Sequence, residues 1–179
     1  MKPPFLTIFS IFSLFLWASG SLPGRSAEPA PLTLEVKGGA VYLKGQEIKG
    51  KSPLAAFEAI LGKADRVADL ANTIYTYDQL GLLLYQTRDQ DIINEVVLVI
   101  SAEDFAFSPK ALFHGKLLIG DQVLTGEFST KQLSSLTTVK FDADSYSPWH
   151  SAGNQQRIRL NFNFVEDIGK LQRVAIDWK

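Results

Sequence analysis

The chain carries two histidines, His114 and His150, and neither has an acid or a second histidine at the helical spacing that builds a zinc-protease site. No Gly-x-Ser-x-Gly elbow and no glycine-rich phosphate loop is present. Ser-His-Asp members need not be neighbours in sequence, so a hydrolase with dispersed catalytic residues stays open as an alternative. Asp89-Gln90-Asp91 and Asp142-Ala143-Asp144 offer paired carboxylates of the kind that hold a hard cation. Ile93 and Tyr146 stand where a third oxygen ligand belongs, and the loop glycine is missing. Both pairs therefore read as solvated turns, and the expectation is no metal, no cofactor and no enzyme activity.

Two other clusters point to surface recognition. Asp65-Arg66 stands near Tyr75, Tyr77 and Asp78. Strand alternation puts Thr73, Tyr75 and Tyr77 on one face and Ile74 and Thr76 on the other. If the Ile74 face takes the core, the tyrosines form an exposed aromatic patch suited to a protein partner; if the tyrosine face takes it, they are core residues with hydroxyls at the rim. The second cluster is the run Ser145-Tyr146-Ser147-Pro148-Trp149-His150, which either exposes its Tyr and Trp as a binding loop or tucks them over the sheet. The candidate protein-binding residues are Tyr75, Tyr77, Asp78, Tyr146, Trp149 and His150.

The elements that must position these residues begin after a leader. One lysine, Lys2, precedes the apolar run Phe5–Trp17, and Ala18-Ser19-Gly20 supplies small residues for cleavage, so residues 1–20 read as a secretory signal. The run is shorter than the ~20 residues that span a bilayer. The expectation is a periplasmic or secreted protein without a stable membrane anchor. Removing residues 1–20 from 179 leaves 159, enough for one domain or two small modules. The chain has no cysteine to form a disulfide or carry a lipid, and a formal charge of −1 with no long basic run argues against nucleic acid.

Residues 21–32 read as a proline-rich tether. Strands are expected at Thr33–Lys37 and Ala40–Leu43, with a short one through Ile48. Ser52-Pro53 opens a helix ended by Gly62, with Ser52 as its cap. A loop is expected around Lys63–Ala71. Thr73–Tyr77 and Leu82–Tyr85 read as a hairpin around Asp78-Gln79-Leu80-Gly81, and Val96–Ile100 as a strand covered on both faces. A separation of 76 residues then carries Gly39, Val41, Leu43 and Ile48 onto Gly115, Leu117, Ile119 and Leu124. The same separation carries Phe57 onto Leu133, Leu84 onto Leu160 and Leu98 onto Val174. It implies a second, weaker helix at Thr130–Leu136 capped by Ser129, and two tandem copies. Trp149–Gly153, which falls on Thr73–Tyr77, does not read as a strand.

The run Ser52-Pro53-Leu54 through Ile60-Leu61-Gly62-Lys63-Ala64-Asp65-Arg66, followed by Tyr75-Thr76-Tyr77-Asp78 and Leu80-Gly81-Leu82, resembles a module of exported bacterial proteins. The β-lactamase inhibitor protein carries that module in tandem, and small outer-membrane assembly lipoproteins carry it once. The run is also similar to a family of exported bacterial proteins with a "YxYDxLG" hairpin, for which the resemblance suggests an immunity role. Ala64 stands where such modules usually have proline, and the inhibitor's disulfides are missing. The resemblance implies an α+β fold of two tandem helix-on-antiparallel-sheet modules, residues 33–101 and 115–179, joined by a linker at 102–114. The implied function is a binding protein that neutralises another protein; an envelope assembly factor is the alternative.

Overall fold

The computed structural model describes residues 31–103, 105–142 and 150–179. The expected signal at 1–20 and nearly all of the tether lie outside them. The fold is β-rich: among the described residues strands take 48% and helices 10%, which overturns the expectation of two α+β modules. The first sheet holds five strands, β1 (Thr33–Lys37), β2 (Ala40–Leu43), β3 (Gln46–Ile48), β8 (Lys116–Ile119) and β9 (Gln122–Leu124), in the order β3-β2-β1-β8-β9. The second holds eight: β4 (Arg66–Asp69), β5 (Asn72–Tyr77), β6 (Leu82–Thr87), β7 (Ile93–Val99), β10 (Lys140–Phe141), β11 (His150–Gln155), β12 (Ile158–Phe164) and β13 (Leu171–Trp178). Their order is β10-β11-β12-β13-β7-β6-β5-β4.

Both sheets mix the two halves of the chain, which is why separate modules cannot form. β1 pairs in parallel with β8, Leu34 beside Leu117, and β7 pairs antiparallel with β13. Leu98 of β7 lies directly opposite Val174 of β13. These two stand at the 76-residue separation read from the sequence, and their neighbours exchange places around them, Val97 facing Ala175 and Val99 facing Arg173.

The helical content is small because only one segment has helical periodicity with a clean stop. Helix α1 (Leu54–Leu61) buries Phe57 and ends at Gly62, whose φ of 83° suits a residue without a Cβ. Pro53 rather than Ser52 caps it; the Ser52 hydroxyl donates instead to the Lys49 carbonyl at 2.7 Å. The second helix is a 3₁₀ turn, Thr130–Ser135, where the Ser129 N–H donates to Gln132 Oε1 at 3.0 Å. Two segments expected to be irregular are strands. Arg66–Asp69 becomes β4 by pairing with β5, and His150–Gly153 enters β11 by pairing with β12. In both, ladder partners distant in sequence override weak local β propensity.

The main core lies between the facing sides of the sheets, where Leu34, Val36, Val41 and Leu43 meet Leu82, Leu84, Leu98, Leu160, Phe162 and Ile176. Each such side chain contributes roughly 1.5–3 kcal/mol by leaving water. Among the described residues, the outer face of the eight-stranded sheet is covered on one part only. There Phe105, Phe107 and Leu112, from the segment linking β7 to β8, pack on Ile74, Leu83, Val97, Val99 and Ala175. This strap gives β7 the two-sided burial expected of its apolar run.

Candidate functional site

The hairpin cluster is structural. Tyr75 and Tyr77 point into the main core, and Tyr77 is only 2% exposed, its hydroxyl donating to the Gly62 carbonyl at 3.2 Å. Burial pushes its phenol up to about 12. Tyr75 is half-buried and donates to Gln86 Oε1 at 2.5 Å. Asp78 is also 2% exposed, held by Arg66 Nε and Nη2 and by Lys110 Nζ at 3.0 Å. The Arg66 hydrogen bond, followed by those from Lys110, outweighs burial and holds the Asp78 carboxyl at about 2. Arg66 Nη2 donates to the Ser108 carbonyl at 2.8 Å, and the Ala111 N–H to the Asp78 carbonyl at 2.8 Å. This cluster therefore fastens the strap to the sheet and keeps no tyrosine or carboxylate free for a partner. Tyr146 and Trp149 lie outside the described residues.

His150 leads elsewhere, to the part of the outer sheet face that the strap leaves uncovered. The ladder registers arrange that face in rows across the strands. One row runs Tyr85, Glu95, Asp177, Arg159, Asn154; the next Leu83, Val97, Ala175, Asn161, Ala152; the third Val99, Arg173, Asn163, His150. Small residues in the middle row make the floor of a trough, and longer polar side chains on either side make its walls. The concavity measures about 340 Å³ and is lined by Tyr85, Glu95, Asn161, Asn163, Arg173 and His150 above Val97 and Ala175.

Each wall has its own electrostatics. Glu95 lies opposite Asp177 and next to Tyr85, and it has no hydrogen-bond partner among the described residues. Burial, with Asp177 adding to it, raises its carboxyl to about 7. Asp177 is raised as well, chiefly by burial, although Asn161 Nδ2 donates to it at 2.6 Å. On the other wall, Arg173 is held in place. Asn163, with its amide oxygen turned toward the guanidinium, accepts from Nε at 2.5 Å and Nη2 at 3.1 Å, and Glu103 accepts from Nη1 at 3.4 Å. Glu103 is 7% exposed, and burial raises its carboxyl.

A second groove, of about 440 Å³, runs along β3 and is lined by Lys49, Lys51, Arg157 and Trp178. It is larger, but its cations are exposed and keep their hydration. The trough retains charged groups that burial penalises, which is the stronger mark of a working site. Among the described residues, no group of three or more His, Cys, Asp or Glu is placed to hold a metal ion. Asp142 instead meets Arg159 at 3.0 Å and accepts from Asn154 at 2.9 Å. No helix among the described residues is long and apolar enough to cross a membrane.

Sequence reasoning found His150 but not its companions. The alternation Ile158, Leu160, Phe162, Phe164 inward against Arg159, Asn161, Asn163 outward was the available signal for one wall. The pairing of β7 with β13, which brings Glu95 beside Asp177, left no local trace.

Residues 33–134 match the family described as Domain of unknown function (DUF7738). The chain belongs to that family. The matched region spans β1 to β9 and the strap, so it holds Tyr85, Glu95 and Val97, while the wall built by β11–β13 lies beyond it. No curated protein matches the chain. Among solved structures it is similar to a cysteine-rich secretory protein (SAV1118) of Staphylococcus aureus subsp. aureus Mu50, at 12% identity and a TM-score of 0.46, over 73% of this chain and 44% of that one. The chain thus spans less than half of that protein's length. A DUF4309 family protein (YjgB) of Bacillus subtilis subsp. subtilis str. 168 is similar at 14% identity and a TM-score of 0.43, over 72% of this chain and 80% of that one.

Proposed function

We propose that this is an exported binding protein that recognises another protein through the uncovered trough on its eight-stranded sheet, neutralising a partner such as a toxin or hydrolase. The observation that carries the reading is the contrast within one sheet face. Among the described residues, the face is apolar and covered where the strap lies; where it does not lie, half-buried Glu95 and Arg173 line a concavity. Half-buried charges without a cover cost stability and are retained where a ligand uses them. Export is supported by the basic-then-apolar leader and the small residues at 18–20.

The test is capture from an envelope extract of the source organism. The wild-type protein should retain a specific protein that the Arg173→Glu variant, confirmed to be folded by circular dichroism, does not. Retention of the same proteins by both would remove the trough from recognition. Cell fractionation that leaves the protein in the cytoplasm with its leader intact would overturn export.

A further inference from the structure

One wall of the trough presents the Glu95 carboxyl and the other the Arg173 guanidinium. Glu95 stands on one side of the floor and Arg173 on the other, and the register separates them by four residues along the strands, since Arg173 pairs with Val99. At ~3.3 Å per residue, their backbones are roughly 13 Å apart. The gap is bridged by Val97 and Ala175, which rise little above the sheet, with Asn161 beside them. Both charged side chains line the concavity. Arg173 uses Nε, Nη2 and Nη1 to reach Asn163 and Glu103, which fixes the guanidinium plane and, among the described residues, leaves two of its five donors for a ligand. Ionised above about pH 7, the Glu95 carboxyl offers both oxygens as acceptors.

We infer that the trough receives a dipolar element of a protein partner, a basic side chain set against Glu95 and an acidic side chain set against Arg173 and His150. Two side chains at positions i and i+2 of an extended segment lie ~7 Å apart on one face. They fit between the two walls, whose backbones stand roughly 13 Å apart. A ligand carrying only positive charge leaves Arg173 facing a like charge, and one carrying only negative charge does the same to Glu95 and Asp177. Asn161, on the floor, carries an amide with a donor and an acceptor that suit the backbone of such a segment. This inference rests on the trough being the recognition site, as proposed above.

The test is a titration of the isotope-labelled protein followed by amide NMR, using four capped tripeptides: lysyl-glycyl-glutamate, glutamyl-glycyl-lysine, lysyl-glycyl-lysine and glutamyl-glycyl-glutamate. The two dipolar peptides should give saturable shifts at Glu95, Asn161 and Arg173, with affinity about tenfold above either like-charged peptide. Glu95→Gln, which keeps the shape and removes the charge, should erase that preference while amide dispersion stays unchanged. Equal or better binding of a like-charged peptide at these residues would overturn the dipolar inference while leaving the trough a binding site. No shift with any of the four would also overturn the inference, and partner capture compared between wild type and Arg173→Glu then decides separately whether the trough recognises a protein.

Discussion

Asp78 receives Arg66 in a forked contact, Nε at 3.1 Å from both carboxylate oxygens and Nη2 at 2.7 Å from Oδ1. The pair joins the β5–β6 turn to the edge strand β4 and, through Ser108 and Lys110, to the strap. Removing one member of a buried ion pair leaves the other unpaired. Asp78→Ala should therefore cost about 2–4 kcal/mol in a urea melt, a range discounted because Arg66 is 38% exposed. The carboxyl titrates at about 2 in the folded chain against 3.8 in the reference state. Its contribution is full above 3.8 and lost as pH falls through 2, so the variant and wild type should converge in stability in that acid window. A gap that persists unchanged below pH 2 would contradict this.

Gly81 closes the same turn with φ of 66°, and a Cβ there would land on the backbone of Leu112 and Phe113. Neither backbone can yield, because the Phe113 N–H donates to the Val99 carbonyl at 2.7 Å. Gly81→Ala should destabilise by about 2 kcal/mol or more, adding a steric clash to an unfavourable φ. A thermal midpoint within a degree or two of wild type would show that the strap lifts freely.

Glu95 sets a second pH dependence, opposite in sign to that of Asp78. Its carboxyl titrates at about 7 when folded and 4.5 in the reference state. Between those values the folded chain holds a proton that the unfolded chain has released. Stability therefore falls as pH rises from 4.5 to 7 and levels off above. Glu95→Gln should equal wild type near pH 4.5 and exceed it by about 1–3 kcal/mol at pH 8. Equal denaturation midpoints at pH 8 would place Glu95 in solvent.

Phe105 and Phe107 hold the strap on Val97, Val99 and Leu83. Replacing both with serine should uncover that apolar patch and cost about 2–4 kcal/mol. An environment-sensitive hydrophobic dye should brighten on the folded variant. Unchanged fluorescence with unchanged stability would mean that the strap contributes nothing.

The strands with clean alternation or uniform apolarity, β1, β2, β5, β6 and β7, were legible because each announces its own period. So were the stop at Gly62 and the two-sided burial of Val97 and Val99. What escaped was pairing. Arg66–Asp69 and His150–Gly153 are strands only because β5 and β12 supply partners. The separation of 76 residues suggests two tandem modules, whereas the chain threads both halves through each sheet. The trough was hidden for the same reason: Tyr85, Glu95, Asn161 and Arg173 come from four strands that only the ladder brings into line.

The placement of β13 between β12 and β7 sets the order of events during folding. Until Leu171–Trp178 is available, the eight-stranded sheet exists as two unconnected halves, each with a bare apolar edge at its middle. A nascent chain must therefore hold off final assembly until Leu171–Trp178 has emerged. Fragments ending before Leu171 should expose an aggregation-prone strand edge, which a holdase would have to cover.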